Sequence, residues 1–102
     1  MSRSPKKNIK RVAVLGSGKV REKDLGFQEA VKLGEALAKE GFTVFHGGFR
    51  GVMEAVARGS RKAKGRNVGV TIRGASNSAN LWVDAEIKMP CWRSRLFKLI
   101  ET

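Results

Sequence analysis

Two stretches of this 102-residue chain carry residue types at a spacing that suits phosphate chemistry. Gly16-Ser17-Gly18-Lys19 follows the apolar run Val12–Leu15, and His46-Gly47-Gly48-Phe49-Arg50-Gly51-Val52-Met53 follows Phe42–Phe45. Glycines just after a strand let a ligand approach the backbone closely, and a helix beginning near Gly51 would aim its free N–H groups at the same place. Arg50 adds a positive charge there. The candidate nucleotide- or phosphate-binding set is therefore Gly16, Ser17, Gly18, Gly47, Gly48, Arg50, Gly51 and Met53. Bland readings compete at each position: a tight turn for Gly16–Gly18, a core side chain for Met53, and a packed or hydrogen-bonded residue for His46.

Two better-known phosphate signatures fail. In a dinucleotide fingerprint the third glycine would fall at Arg21, and the acidic ribose anchor after the second strand is replaced by His46 and glycines. The Gly18-Lys19 pair suggests a P-loop, but Val20 stands for the Ser or Thr and Ala13 for the first glycine.

The elements that must hold these loops alternate. Arg11–Gly16 reads as a buried strand, and Gly26–Glu40 as an amphipathic helix capped by Asp24 and closed by Gly41. Phe42–Phe45 is a second strand. A helix over Gly51–Lys64 turns Val52, Ala55, Val56 and Gly59 inward, and Val68, Val70 and Ile72 mark a third strand. After a polar loop from Gly74 to Asn80, Val83, Ala85 and Ile87 alternate as a half-exposed strand. Pro90 suits the first turn of a last helix carrying Trp92, Leu96, Leu99 and Ile100. This order predicts an α/β, Rossmann-like parallel sheet flanked by helices in three layers, truncated at its C-terminus. Residues 1–10 read as a basic arm and 11–102 as a single domain.

Composition narrows the class. Twenty-one Lys and Arg against nine Asp and Glu leave a formal charge of +12. Arg58, Arg61, Lys62, Lys64, Arg66 and Arg73 follow Glu54 with no acid before Asp84. Such a field favours phosphate-bearing partners, nucleotide or nucleic acid. One cysteine, Cys91, excludes an internal disulfide and a cysteine zinc site. No apolar run reaches the roughly 20 residues of a membrane helix, and no apolar stretch follows the basic N-terminus, so the expected location is cytoplasmic with no membrane contact.

The glycine block Gly47-Gly48-Phe49-Arg50-Gly51-Val52-Met53-Glu54-Ala55-Val56-Ala57-Arg58-Gly59 resembles that of the lonely-guy / "possible lysine decarboxylase" family. This is a Rossmann-like group within a wider superfamily that includes molybdenum-cofactor carriers. The likeness runs from about Arg11 to Thr102, through Val14–Gly18, Gly34–Ala38 and Gly65–Val70. It implies a nucleotide site, and hydrolysis of nucleoside 5′-monophosphates in members that are enzymes. Trp92–Leu99 looks like the family's arginine helix, with Arg95 as the catalytic match. The P-G-G-x-G-T-x-x-E segment that follows in the family, with its assisting glutamate, does not occur in these residues.

The resemblance thus implies a nucleotide- or phosphate-binding protein without independent hydrolase activity and with no required cofactor, its ligand a nucleoside monophosphate or related phosphate. It also implies a homodimer, with the last helix at the seam. Two alternatives stay open: a basic nucleic-acid-binding module, which the absence of interleaved aromatics argues against, and one half of a split or carrier protein.

Overall fold

The computed structural model describes residues 10–74 and 78–102. The basic arm up to residue 9 and part of the Gly74–Asn80 loop lie outside them. Within the described residues the order is β1 (Lys10–Ala13), α1 (Leu25–Lys39), β2 (Phe42–His46), α2 (Val52–Lys62), β3 (Arg66–Ile72), β4 (Ala85–Met89) and α3 (Trp92–Ile100). The strands form one parallel sheet in the order β1-β2-β3-β4, so each pairs with its predecessor in the chain. The fold is α/β and Rossmann-like, as the alternation predicts.

Strand alternation assigns the two faces. Val12 and Val44 are register partners and join Phe27, Ala30, Ala55 and Val56 in the core beneath α1 and α2. Those helices touch through glycine: a Cβ on Gly34 would strike the Val56 carbonyl, and one on Gly59 the Val31 carbonyl. On the opposite face Val68 and Val70 are buried, and Leu99 of α3 is 2% exposed. α3 lies over β3 and β4, which makes the third layer.

Local expectations need three corrections. β1 is a half-buried edge strand ending at Ala13, and Leu15 is exposed; only the Val14 N–H bond to the Phe45 carbonyl continues the pairing. Asp24 occupies the N-cap position of α1, but its carboxylate turns back to accept the Arg21 N–H at 2.8 Å. Gly41 closes α1 with φ +86°, as expected. Pro90 lies outside α3, whose N-cap is Cys91; there the Ser94 hydroxyl accepts the Cys91 N–H at 3.2 Å. Neither tryptophan is buried: Trp82 is 38% and Trp92 65% exposed.

Candidate functional site

The two glycine loops meet at the carboxyl ends of β1 and β2. The Val52 N–H donates to the Ser17 carbonyl at 2.9 Å, which ties the start of α2 to the first loop. Gly51 takes φ +72°, and a Cβ there would run into the Ser17 carbonyl and Gly18. Gly16 lies equally close to Val52, with a Cβ-to-side-chain distance of 2.7 Å. These glycines therefore first serve to lock the loops together. The Ser17 hydroxyl accepts the Lys19 N–H at 3.0 Å and shapes the same turn. At the start of α2 the N–H groups of Met53 and Glu54 have no acceptor within the helix, as at every helix N-terminus.

Gly47 and Gly48 have structural partners too. The Gly48 N–H donates to His46 Nδ1 at 2.9 Å, and His46 Nε2 donates to Asn67 Oδ1 at 2.8 Å. His46 is therefore a neutral, doubly engaged imidazole. Burial holds its pKa below the usual value, with Arg95 adding to the effect and Asn67 and Asp84 opposing it. Asn67 passes the chain on, its amide donating to the Trp82 carbonyl at 2.9 Å and to Asp84 Oδ2 at 3.0 Å. His46 is thus a hydrogen-bonded core residue.

Arg95 reaches the site from α3. Its Nε donates to the Val70 carbonyl at 2.7 Å and its Nη2 to the Gly47 carbonyl at 2.9 Å. Met53 Sδ lies 3.8 Å from Nη2, and the rings of Phe49 and Trp92 flank the guanidinium at 5.4 and 5.2 Å. Arg95 joins the ends of β2 and β3 to α3, and these contacts are those of a positioning residue. Met53 fills the space between Gly18, Gly47 and Arg95.

Sequence reasoning missed the rest of the site. A cavity of 330 Å³ opens between Gly18, Lys19, Arg21, Glu22, Arg50, Gly51 and Glu54. A second, of 300 Å³, lies between Arg50, Glu54, Ser78, Asn80 and Trp82. Arg50 and Glu54 line both, so the two cavities are neighbours on either side of these side chains; together they are called the trough, and each cavity a lobe of it. Asn80 fixes the far wall: its amide donates to the Phe49 carbonyl at 2.7 Å and the Gly48 carbonyl at 3.2 Å, and its Oδ1 accepts the Trp82 N–H at 2.9 Å. Arg58 braces the wall from behind, 3.0 Å from Glu22, 3.7 Å from Glu54, and stacked on Trp82 and Phe27. A glycine motif marks loop backbones, but nothing in it announces a wall contributed some thirty residues later. The larger cleft of 640 Å³ behind Trp82, lined by Val31, Arg58, Arg61 and Lys62, touches neither glycine loop. No group of three metal-ligating side chains occurs among the described residues.

The family model of the SLOG cluster4 family matches residues 9–95. The chain belongs to the SLOG cluster4 family. This SLOG cluster4 chain is similar to TM1055, a structural-genomics target: 33% identity, TM-score 0.75, covering 91% of this chain and 55% of that one. It is also similar to the molybdenum cofactor binding protein of the phototrophic bacterium Rippkaea orientalis, with 25% identity, TM-score 0.78, and 91% and 57% of the two chains covered. A Moco carrier protein from Chlamydomonas reinhardtii aligns at 25% identity and TM-score 0.73, over 84% and 52%. The SLOG cluster4 chain thus spans about half the length of these solved structures. No curated protein matches it. The matches bear out the wider Rossmann-like group to which the glycine block points.

Proposed function

We propose that this SLOG cluster4 chain binds a phosphate-bearing small molecule in the trough, as a binding or carrier protein rather than as a glycosidic hydrolase. The observation that carries the reading is the convergence on one cavity of the α2 N-terminus, the Gly16–Gly18 loop and the side chains of Lys19, Arg21 and Arg50. Amide donors and fixed positive charge at a helix start suit a phosphate. The molybdenum cofactor bound by similar solved proteins supports a carrier role over a catalytic one. Two of the five Arg95 N–H donors, on Nε and Nη2, are held by backbone carbonyls, which suits a structural role for it better than a catalytic one. For a cofactor cargo the trough offers donors and cations to the phosphate end. It offers no thiolate to a metal end, since Cys91 caps α3.

The same reading includes assembly as a two-fold dimer. Trp92, Leu96, Phe97 and Ile100 leave the outer side of α3 apolar, at 65, 48, 59 and 64% exposure. Burial of such side chains is worth roughly 1.5–3 kcal/mol each, and a self-complementary contact would recover it.

Titration with inorganic phosphate and adenosine 5′-monophosphate, followed by backbone amide shifts, tests the site. The amides of Gly18, Gly51, Met53 and Glu54 are expected to move together at millimolar ligand, with no ribose 5-phosphate released. Unmoved amides would remove the site, and release of ribose 5-phosphate by the pure chain would restore the hydrolase reading.

A further inference from the structure

We propose that Glu54 selects the ligand: the trough takes a phosphate ester whose organic part presents O–H or N–H donors, and Glu54 accepts them at the junction of the two lobes. This rests on the phosphate reading of the first lobe and adds what must be attached to the phosphate.

The two lobes differ in chemistry. The first is lined by the cations Lys19, Arg21 and Arg50 together with Gly18 and Gly51, with Glu22 at its margin paired to Arg58 at 3.0 Å. The second shares Arg50 and Glu54 with it, and the walls it does not share, Ser78, Ala79, Asn80, Leu81 and Trp82, are uncharged and include a flat apolar ring. A bare phosphate fills only the first. At 300 Å³ the second lobe is the size of a small ligand pocket and admits a sugar or a flat heterocycle.

Glu54 stands between them. It lies in the first turn of α2, where the helix dipole favours a carboxylate, so its presence alone has an ordinary explanation. Its position carries more. It lines both lobes, its side chain is 23% exposed, and its one ion pair among the described residues is a loose one, Oε2 to Arg58 at 3.7 Å. Among the described residues Oε1 has no hydrogen-bond partner, and an ionised carboxylate only accepts. A phosphate dianion in the first lobe meets this negative charge and is disfavoured by it. An ester that brings a hydroxyl pair or an N–H edge to Oε1 converts that repulsion into a charge-assisted hydrogen bond. Glu54 would thereby reject free phosphate, abundant in any cell, in favour of its esters.

The test compares three probes: inorganic phosphate, ribose 5-phosphate and adenosine 5′-monophosphate. Each is titrated by amide shifts against the wild-type chain, Glu54→Gln and Glu22→Gln. Glu54→Gln keeps the side-chain volume and the helix, verified by unchanged shifts away from the trough. It should weaken the preferred ester by about ten- to a hundredfold while phosphate binding stays the same or tightens. Glu22→Gln removes the other carboxylate on Arg58, at the margin of the first lobe and outside the second, so any change it makes in phosphate binding falls equally on ester and free phosphate. It should leave the ratio of ester to phosphate affinity unchanged, which separates selection by Glu54 from bracing by Arg58. Loss confined to the adenosine ester assigns the donor to the base, and equal loss with ribose 5-phosphate assigns it to the sugar. Equal weakening of ester and phosphate, or of neither, overturns the inference while leaving the phosphate site standing. If none of the three probes moves an amide in the wild-type chain, the phosphate reading falls and takes this inference with it.

Discussion

The two faces of the sheet are finished to different degrees. Under α1 and α2, Val44, Ala55, Val56 and Ala57 are fully buried, and the helices meet at glycines with no room for another atom. Under α3 only β3 and part of β4 are covered, and four large apolar side chains of that helix face outward. The first face holds the fold together and positions the trough, because α2 and the glycine loops belong to it. The second leaves its outer apolar side chains uncovered among the described residues. The contrast teaches that one side of a small sheet can carry the packing while the other, on the dimer proposed above, is left for assembly.

Gly59→Leu should give the largest break. Its side chain would enter the Val31 backbone, and overpacking of this kind costs about 3 kcal/mol, enough to lower the urea midpoint sharply. A variant as stable as wild type would mean that α1 and α2 are not closely packed.

The next effect comes from acid. His46 is the single histidine, and burial favours its neutral form in the folded chain. The unfolded chain therefore binds that proton more tightly. Stability from this source is complete above about pH 6.5 and is lost as pH falls, by at most about 1.4 kcal/mol per pH unit. Urea midpoints between pH 7 and 5 should fall for the wild-type chain and stay level for His46→Gln. The same slope in both proteins would place the titration elsewhere.

The smallest effect on stability belongs to the other face. Leu96→Asp changes an exposed position and should shift stability by about 0.5 kcal/mol or less, yet halve the particle mass on sedimentation if the proposed dimer uses α3. Marked unfolding would show Leu96 to be part of the core. An unchanged particle mass would move any dimer seam away from α3.

Much of this was legible in the sequence where a residue's role is decided by its neighbours in the chain. The β2, α2 and β3 segments show in the apolar runs Phe42–Phe45 and Val68–Ile72 and in the inward stripe Val52, Ala55, Val56 and Gly59. What was hidden depends on distant partners. Val12–Leu15 reads like a central strand, because an apolar run looks the same whether or not a further strand pairs with it. Asn80, Trp82 and Glu54 became site residues only when the chain after β3 folded back over the second glycine loop. Asp84, an ordinary strand-side acid in the sequence, proved to be the end of the chain of bonds from Gly48 through His46 and Asn67.

The strand order bears on how the molecule assembles. The pairings Lys10↔Phe42, Thr43↔Arg66 and Val68↔Ala85 join each strand to the one made just before it, across successively shorter separations. Among the described residues no strand waits for a later one to be inserted beside it, and the closure entropy of each step falls along the chain. As residues leave the ribosome, each strand–helix unit meets a finished template, so the domain can grow outward from β1 during synthesis. After these four strands α3 closes onto β3 and brings Arg95 to the Gly47 carbonyl. The arginine arrives only when the strands that it bridges are in place, making it a latch on a sheet already formed.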